Sequence, residues 1–184
     1  RSSDLVERPE GKKFVRRNSF DGKIEFKNVS FTYPDTTKGS LDRINFVIQP
    51  GEKVGIIGRN GSGKTTLQKI ILGLYAPTEG SVLIDGIDIN QIDPADLRRN
   101  IGYVPQDVVL FKGTVRENIV QKAPYVDDMQ IIKAAKVSGV DEYVNAHPLG
   151  FDMPVFERGD GISGGQRQSI AVARAFLLDS PIIL

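Results

Sequence analysis

The sequence predicts an α/β fold: a mixed sheet around one short apolar strand, a smaller antiparallel β part ahead of it, and a helical insertion near residues 110–160. Three observations predict it. Val54-Gly55-Ile56-Ile57 is continuously apolar, as a strand buried on both faces is. Leu67, Ile70, Ile71 and Leu74 follow at i, i+3, i+4 and i+7, which is one face of a helix. Ile24 and Phe26 alternate, and Val29, Phe31 and Tyr33 then alternate in the opposite phase, so one extra residue between the sets marks a β-bulge.

The remaining elements follow in order. Residues 1–22 are polar and charged, with Lys12, Lys13, Arg16 and Arg17, and read as a solvated linker; residues 23–184 read as the domain. A second strand covers Ile44 to Ile48. Pro77 and Gly80 break the first helix, and Val82-Leu83-Ile84 is another strand. Asp93-Pro94 is an N-cap followed by proline at the first helical position. Ile101 to Val104 is the next strand. Thr114-Val115-Arg116-Glu117 is a capping box that starts a short helix. Residues 127–137 form a helix with Ile131, Ile132 and Ala135 on its buried side. A Gly-rich turn at 159–165 leads into a last helix carrying Ile170, Ala173 and Leu177 on one face.

Composition excludes several classes. The 184 residues suit one ordinary domain, with 40% apolar and 26% charged residues in a globular balance. A net charge of +1 gives no sign of a nucleic-acid partner. Without cysteine there is neither a disulfide framework nor a thiolate metal site, which fits a reducing compartment. No apolar run reaches the roughly 18 residues that span a bilayer. His147, the single histidine, sits in a Pro-flanked loop and reads as a surface residue. Both ends read as cut: the chain starts at Arg1, and Pro181-Ile182-Ile183-Leu184 opens a strand, so a piece of a longer protein is expected.

Two stretches carry chemistry. Gly58-Arg59-Asn60-Gly61-Ser62-Gly63-Lys64-Thr65 fits G-x-x-x-x-G-K-[ST], between an apolar strand and an amphipathic helix. Its glycines permit a tight turn that aims backbone N–H groups at one point, where the helix N-terminus adds positive potential. Lys64 is placed to reach the outer phosphates of a nucleotide, and the Thr65 hydroxyl to ligate Mg²⁺. The second stretch, Ile162-Ser163-Gly164-Gly165-Gln166, puts another small-residue turn at a helix N-terminus, with Gln166 lying 108 residues after Gly58. A single nucleotide needs one cradle, so a second one points to a nucleotide held by a neighbouring copy.

With both motifs in place, the chain from about residue 24 onward resembles the nucleotide-binding domain of an ATP-binding cassette exporter, whose fold is the P-loop NTPase fold. Ser163-Gly164-Gly165-Gln166 matches the family signature, with Ile162 where leucine is usual. The resemblance implies that Tyr33 stacks on adenine and that Thr66 touches an inner phosphate. It implies that Gln106, in Val104-Pro105-Gln106-Asp107, approaches Mg²⁺ and the attacking water and reports to the membrane part. It gives Lys64 and Gln106 catalytic duties, and it has Ser163, Gly164, Gly165 and Gln166 clamp ATP bound to a partner domain. Glu157-Arg158-Gly159 resembles the exporter segment that meets the coupling helices, although Phe156 stands where a glycine is usual. The run Ile92 to Asp107 is similar to bacterial type I secretion exporters, which move large proteins such as toxins and adhesins.

The implied cofactors are therefore ATP and Mg²⁺. The implied partners are the transmembrane domain of the same transporter, a second nucleotide-binding domain and the exported substrate, at the cytoplasmic face of the bacterial inner membrane. Hydrolysis in this family also uses an Asp and a Glu at the end of the strand opening at Pro181, with a switch histidine later, and the chain as given is expected not to turn over ATP. Three rivals stand beside this reading. A lipid or peptide exporter shares most of the pattern, and a binding module would hold ATP without hydrolysing it. A DNA-repair ATPase of the same superfamily would carry a far longer insertion between the two motifs.

Overall fold

A computed structural model describes residues 13–184 apart from 35, 38, 122 and 124. Lys12 and the rest of residues 1–12 lie outside the described residues. Two compact units divide the chain, one ending at Asn100 and one starting at Ile101.

The first unit is built on a four-stranded antiparallel sheet. Strand β1 (Ile24–Phe31) lies between β2 (Leu41–Ile48) and β3 (Glu79–Ile84), and β3 pairs on its other edge with β4 (Ile87–Asp88). The expected bulge is present: the register against β2 shifts between Phe26 and Val29, and Asn28 adopts a positive φ of 49°. Ile24, Phe26, Val29 and Phe31 are all buried on the same face. Helix α1 (Lys64–Ile71) buries Leu67, Ile70 and Ile71. It ends earlier than its apolar period suggests. Gly73, at φ 66°, bonds back to the Ile70 carbonyl, and Leu74 is left outside the helix and exposed. Helix α2 (Pro94–Arg99) has Pro94 at its first turn and the Asp93 carboxylate capping the Ala95 amide at 2.9 Å.

The stretch 13–23 is docked on this unit. Val15 forms a bridge with Ile92, Phe20 is buried, and the Asp85 carboxylate accepts the amides of Asp21, Gly22 and Lys23 at 2.7, 3.1 and 2.9 Å.

One expected strand is not formed. Residues 54–57 belong to no strand, and Val54, Ile56 and Ile57 are 50%, 46% and 99% exposed. An apolar run becomes a buried strand only when neighbouring strands supply ladder partners on its edges. The described sheet of this unit runs β2-β1-β3-β4 and pairs with none of these residues.

In the second unit β5 (Ile101–Gly102) pairs in parallel with β8 (Ile182–Ile183), so the strand read at residues 181–184 is real. β6 (Gly113–Thr114) pairs with β7 (Pro154–Val155). The expected helical insertion is α3 (Val115–Val120), α4 (Asp128–Ser138) and α5 (Val140–Ala146), packed with α6 (Gly164–Phe176). The Thr114–Glu117 capping box starts α3, and an Asp127–Gln130 box starts α4. Ile131, Ala134 and Ala135 face the core, whereas Ile132, expected there, is 40% exposed. Ile170, Ala173 and Leu177 are buried as expected. His147 caps the end of α5, and its Nδ1 accepts the Leu149 amide at 3.2 Å.

Candidate nucleotide-binding site

The phosphate loop occupies residues 58–65 of the first unit. It runs from the exposed stretch 51–58 into the first turn of α1. The Ser62 amide donates to the Arg59 carbonyl at 3.1 Å, which closes the turn through Asn60 and Gly61. Gly61 and Gly63 hold φ of 79° and 89°, where side chains are strained. At Gly63 a Cβ would also sit 2.6 Å from the Ser40 carbonyl oxygen and 2.7 Å from Leu41 Cδ2, so the close approach demands glycine. A Cβ at Gly58 would lie 2.5 Å from Ser62 Oγ.

Lys64 curls into this loop. Its Nζ donates to the carbonyls of Gly58 and Arg59 at 2.7 and 2.9 Å and to Ser62 Oγ at 3.4 Å. Gly63 gives α1 no side-chain cap, so its first-turn amides have neither a cap nor an intrahelical acceptor. A compact cation beside uncapped helix amides, in a tight glycine-containing turn, fits a polyphosphate. Thr65 is exposed at that first turn and offers a hard oxygen donor. Among the described residues no group of three or more His, Cys, Asp or Glu could hold a metal by itself. Mg²⁺ takes few protein ligands when phosphate oxygens supply the rest, and the exposed Thr65 hydroxyl is a donor of that kind.

Tyr33 and Thr66 meet at this loop. Tyr33 Oη lies 3.2 Å from Thr66 Oγ1, and Thr66 is buried. The Tyr33 ring stands edge-on to Phe31 and to Tyr75, with centroids 4.8 and 5.3 Å away. Lys69 Nζ, one turn along α1, is 5.7 Å from the Tyr33 centroid and 5.9 Å from that of Tyr75. Tyr75 and Lys69 were not legible as site residues, since each is an ordinary helix-end or helix-surface residue by pattern.

Gln106 and the Ser163–Gln166 turn belong to the second unit. Gln106 is exposed in the bend after β5. Ser163 is the N-cap of α6, in a reciprocal box: its Oγ accepts the Gln166 amide at 3.2 Å, and Gln166 Oε1 accepts the Ser163 amide at 2.9 Å. Ser163, Gly164 and Gly165 are exposed.

A family profile described as ABC transporter matches residues 41–184. The chain belongs to the ABC transporter family. Curated members of comparable sequence include the leukotoxin export ATP-binding protein LtxB of Aggregatibacter actinomycetemcomitans and the leukotoxin translocation ATP-binding protein LktB of Mannheimia haemolytica. Each is 45% identical over 163 residues, which is 89% of this chain and 23% of the relative. This ABC transporter chain therefore spans about a quarter of the length of those relatives. A solved bacterial Atm1-family ABC exporter with ATP bound superposes with a TM-score of 0.85 at 34% identity, over 95% of this chain and 30% of that one. The fold class expected from sequence is thus the family's, even though residues 54–57 are not in strand form.

Proposed function

We propose that this chain is part of the nucleotide-binding domain of an exporter, and that the full-length protein binds and hydrolyses ATP to drive a protein substrate across a membrane by type I secretion. The observation that carries the reading is the Lys64 ammonium folded onto the Gly58 and Arg59 carbonyls of a tight loop that opens directly into the first turn of α1. Likeness at 45% identity to leukotoxin export and translocation proteins supports the export of a protein, rather than a lipid or a peptide.

The residues act as follows. Lys64 exchanges a loop carbonyl for an outer phosphate oxygen. The amides of the α1 first turn hold the inner oxygens, with Thr66 beside them. Tyr33 presents its ring to the base, and its hydroxyl ties that ring to Thr66, so base and phosphate subsites share one rigid connection. Thr65 holds Mg²⁺, which neutralises phosphate charge when bound. Gln106 orients the attacking water and reports to a transmembrane domain. Ser163, Gly164, Gly165 and Gln166 serve the nucleotide of a second copy, so the working unit is a dimer at the cytoplasmic membrane face. Residues 1–22 lead in from the membrane part. Titration of wild type and Lys64→Ala with a fluorescent ATP analogue tests the reading, and equal affinities would refute it.

A further inference from the structure

The second unit holds a buried polar network that none of these roles uses. Asn118, in α3, is 2% exposed and every polar group of its side chain is paired. Its Nδ2 donates to the carbonyls of Phe111 and Thr114 at 2.8 and 2.9 Å, and its Oδ1 accepts the Phe111 amide at 2.9 Å. Arg174, three turns into the helix that Ser163 caps, completes it. Its Nε donates to the Asn118 carbonyl at 2.5 Å, its Nη1 to the Val109 carbonyl at 2.9 Å, and its Nη2 to Asn118 Oδ1 at 3.0 Å. Burial lowers the Arg174 pKa, but a guanidinium stays charged at any working pH.

The three bonds point to different segments. One holds the chain at Val109, three residues after Gln106. The other two hold the start of the helical insertion. The loop 107–112 is otherwise held by Leu110, which is buried in the core, and by Asn118 on the Phe111 backbone, while Asp107, Val109, Phe111 and Lys112 are exposed. We propose that Arg174 is a positioning residue that fastens the chain leaving Gln106 to the signature helix α6, so that Gln106 and Ser163 move as one body when nucleotide binds. The proposal rests on the reading of Gln106 and Ser163 as nucleotide-facing. A planar fork with donors on three sides makes this fastening, and a lysine cannot reproduce it.

Amide hydrogen exchange on this chain tests the fastening, with Arg174→Lys as the mild variant and Arg174→Gln as the second. Both should speed exchange across 107–113 by about tenfold, while amides in the middle of α6 and in α1 stay within about twofold of wild type. In the full-length protein Arg174→Lys should lower kcat for ATP by about tenfold and leave KM within about twofold, because the phosphate loop is untouched. Unchanged exchange at 107–113, an equal rise throughout α6, rescue of kcat by lysine, or a KM effect with kcat intact would each overturn the proposal. The underlying reading fails separately: Lys64→Ala binding ATP as wild type does would sink it, whatever the loop does.

Discussion

Lys64→Ala separates binding from stability in a way the geometry makes quantitative. In wild type the ammonium satisfies two carbonyls at 2.7 and 2.9 Å and a hydroxyl at 3.4 Å. Gly58, Arg59 and Ser62 are all exposed, so water replaces the lysine when it is removed. Surface changes of this kind stay within about 0.5 kcal/mol, so the unfolding midpoint in urea should not move measurably. Binding is different. A charge-assisted bond to phosphate is worth about 1.5–3 kcal/mol. Against it stands the carbonyl bond that lysine surrenders to reach the phosphate, worth about 0.5–1.5 kcal/mol net. The remainder centres on about 1.25 kcal/mol, or about an eightfold rise in Kd. Titration with a fluorescent ATP analogue beside a urea melt reads both quantities. A variant that binds as tightly as wild type, or one that unfolds at markedly lower urea, would refute this account of the loop.

Tyr33→Phe should keep most ATP affinity, because the ring remains, and lose only what the Thr66 contact adds, about 0.5–1.5 kcal/mol by isothermal calorimetry; Tyr33→Ala should weaken ATP and GTP alike. Gly58→Ala should weaken ATP binding through the clash with Ser62 Oγ, and the double variant Gly58→Ala, Ser62→Ala should recover part of it in a double-mutant cycle. Asn118→Ala should cost about 1–3 kcal/mol in chemical denaturation, since it strands the Phe111 amide, the Phe111 and Thr114 carbonyls and the Arg174 Nη2 donor. Tyr143 Oη is buried, and burial raises its pKa, with the Ser169 hydroxyl opposing that shift only in part. The neutral phenol is therefore the form the fold tolerates: stability is intact below the ordinary tyrosine range near pH 10 and falls as pH rises through it, and Tyr143→Phe should flatten that alkaline loss in pH-dependent melts.

Local signals were the readable ones. The N-cap at Asp93, the box at Thr114 and the bulge near Asn28 all depend on residues within a few positions of one another, and all are present. The stretch 54–57 failed because an apolar run states a wish for burial without naming the strand that grants it. Ile132 failed for a simpler reason. It is about 100° around the helix from Ile131, and the small Ala134 and Ala135 take the inward positions instead. Helix α5 was not read: the helix expected over 127–137 stops before Gly139, which at φ 74° both ends α4 and starts α5. At the site, the loop 58–65 was legible as a motif. Asn118 and Arg174 were not: a mid-helix asparagine and a late-helix arginine reveal their bonds only once the chain has folded 56 residues back on itself.

The two phosphate-facing turns are built on different physics, and the difference bears on how a dimer would work. At α1 the N-cap is a glycine in left-handed conformation that gives no side-chain cap, and a lysine supplies full charge. At α6 the N-cap is Ser163, already accepting the Gln166 amide while Gln166 occupies the Ser163 amide. The amides of Gly164 and Gly165, the hydroxyl proton of Ser163 and the Nε2 protons of Gln166 are left for a ligand there. No lysine stands in that box, so its attraction for phosphate is the helix dipole plus a few neutral donors, each worth about 0.5–1.5 kcal/mol net. On the proposed reading, such a turn binds a free nucleotide weakly and adds to the hold on one already bound by Lys64 of another copy, so association of the two copies is expected to depend on nucleotide.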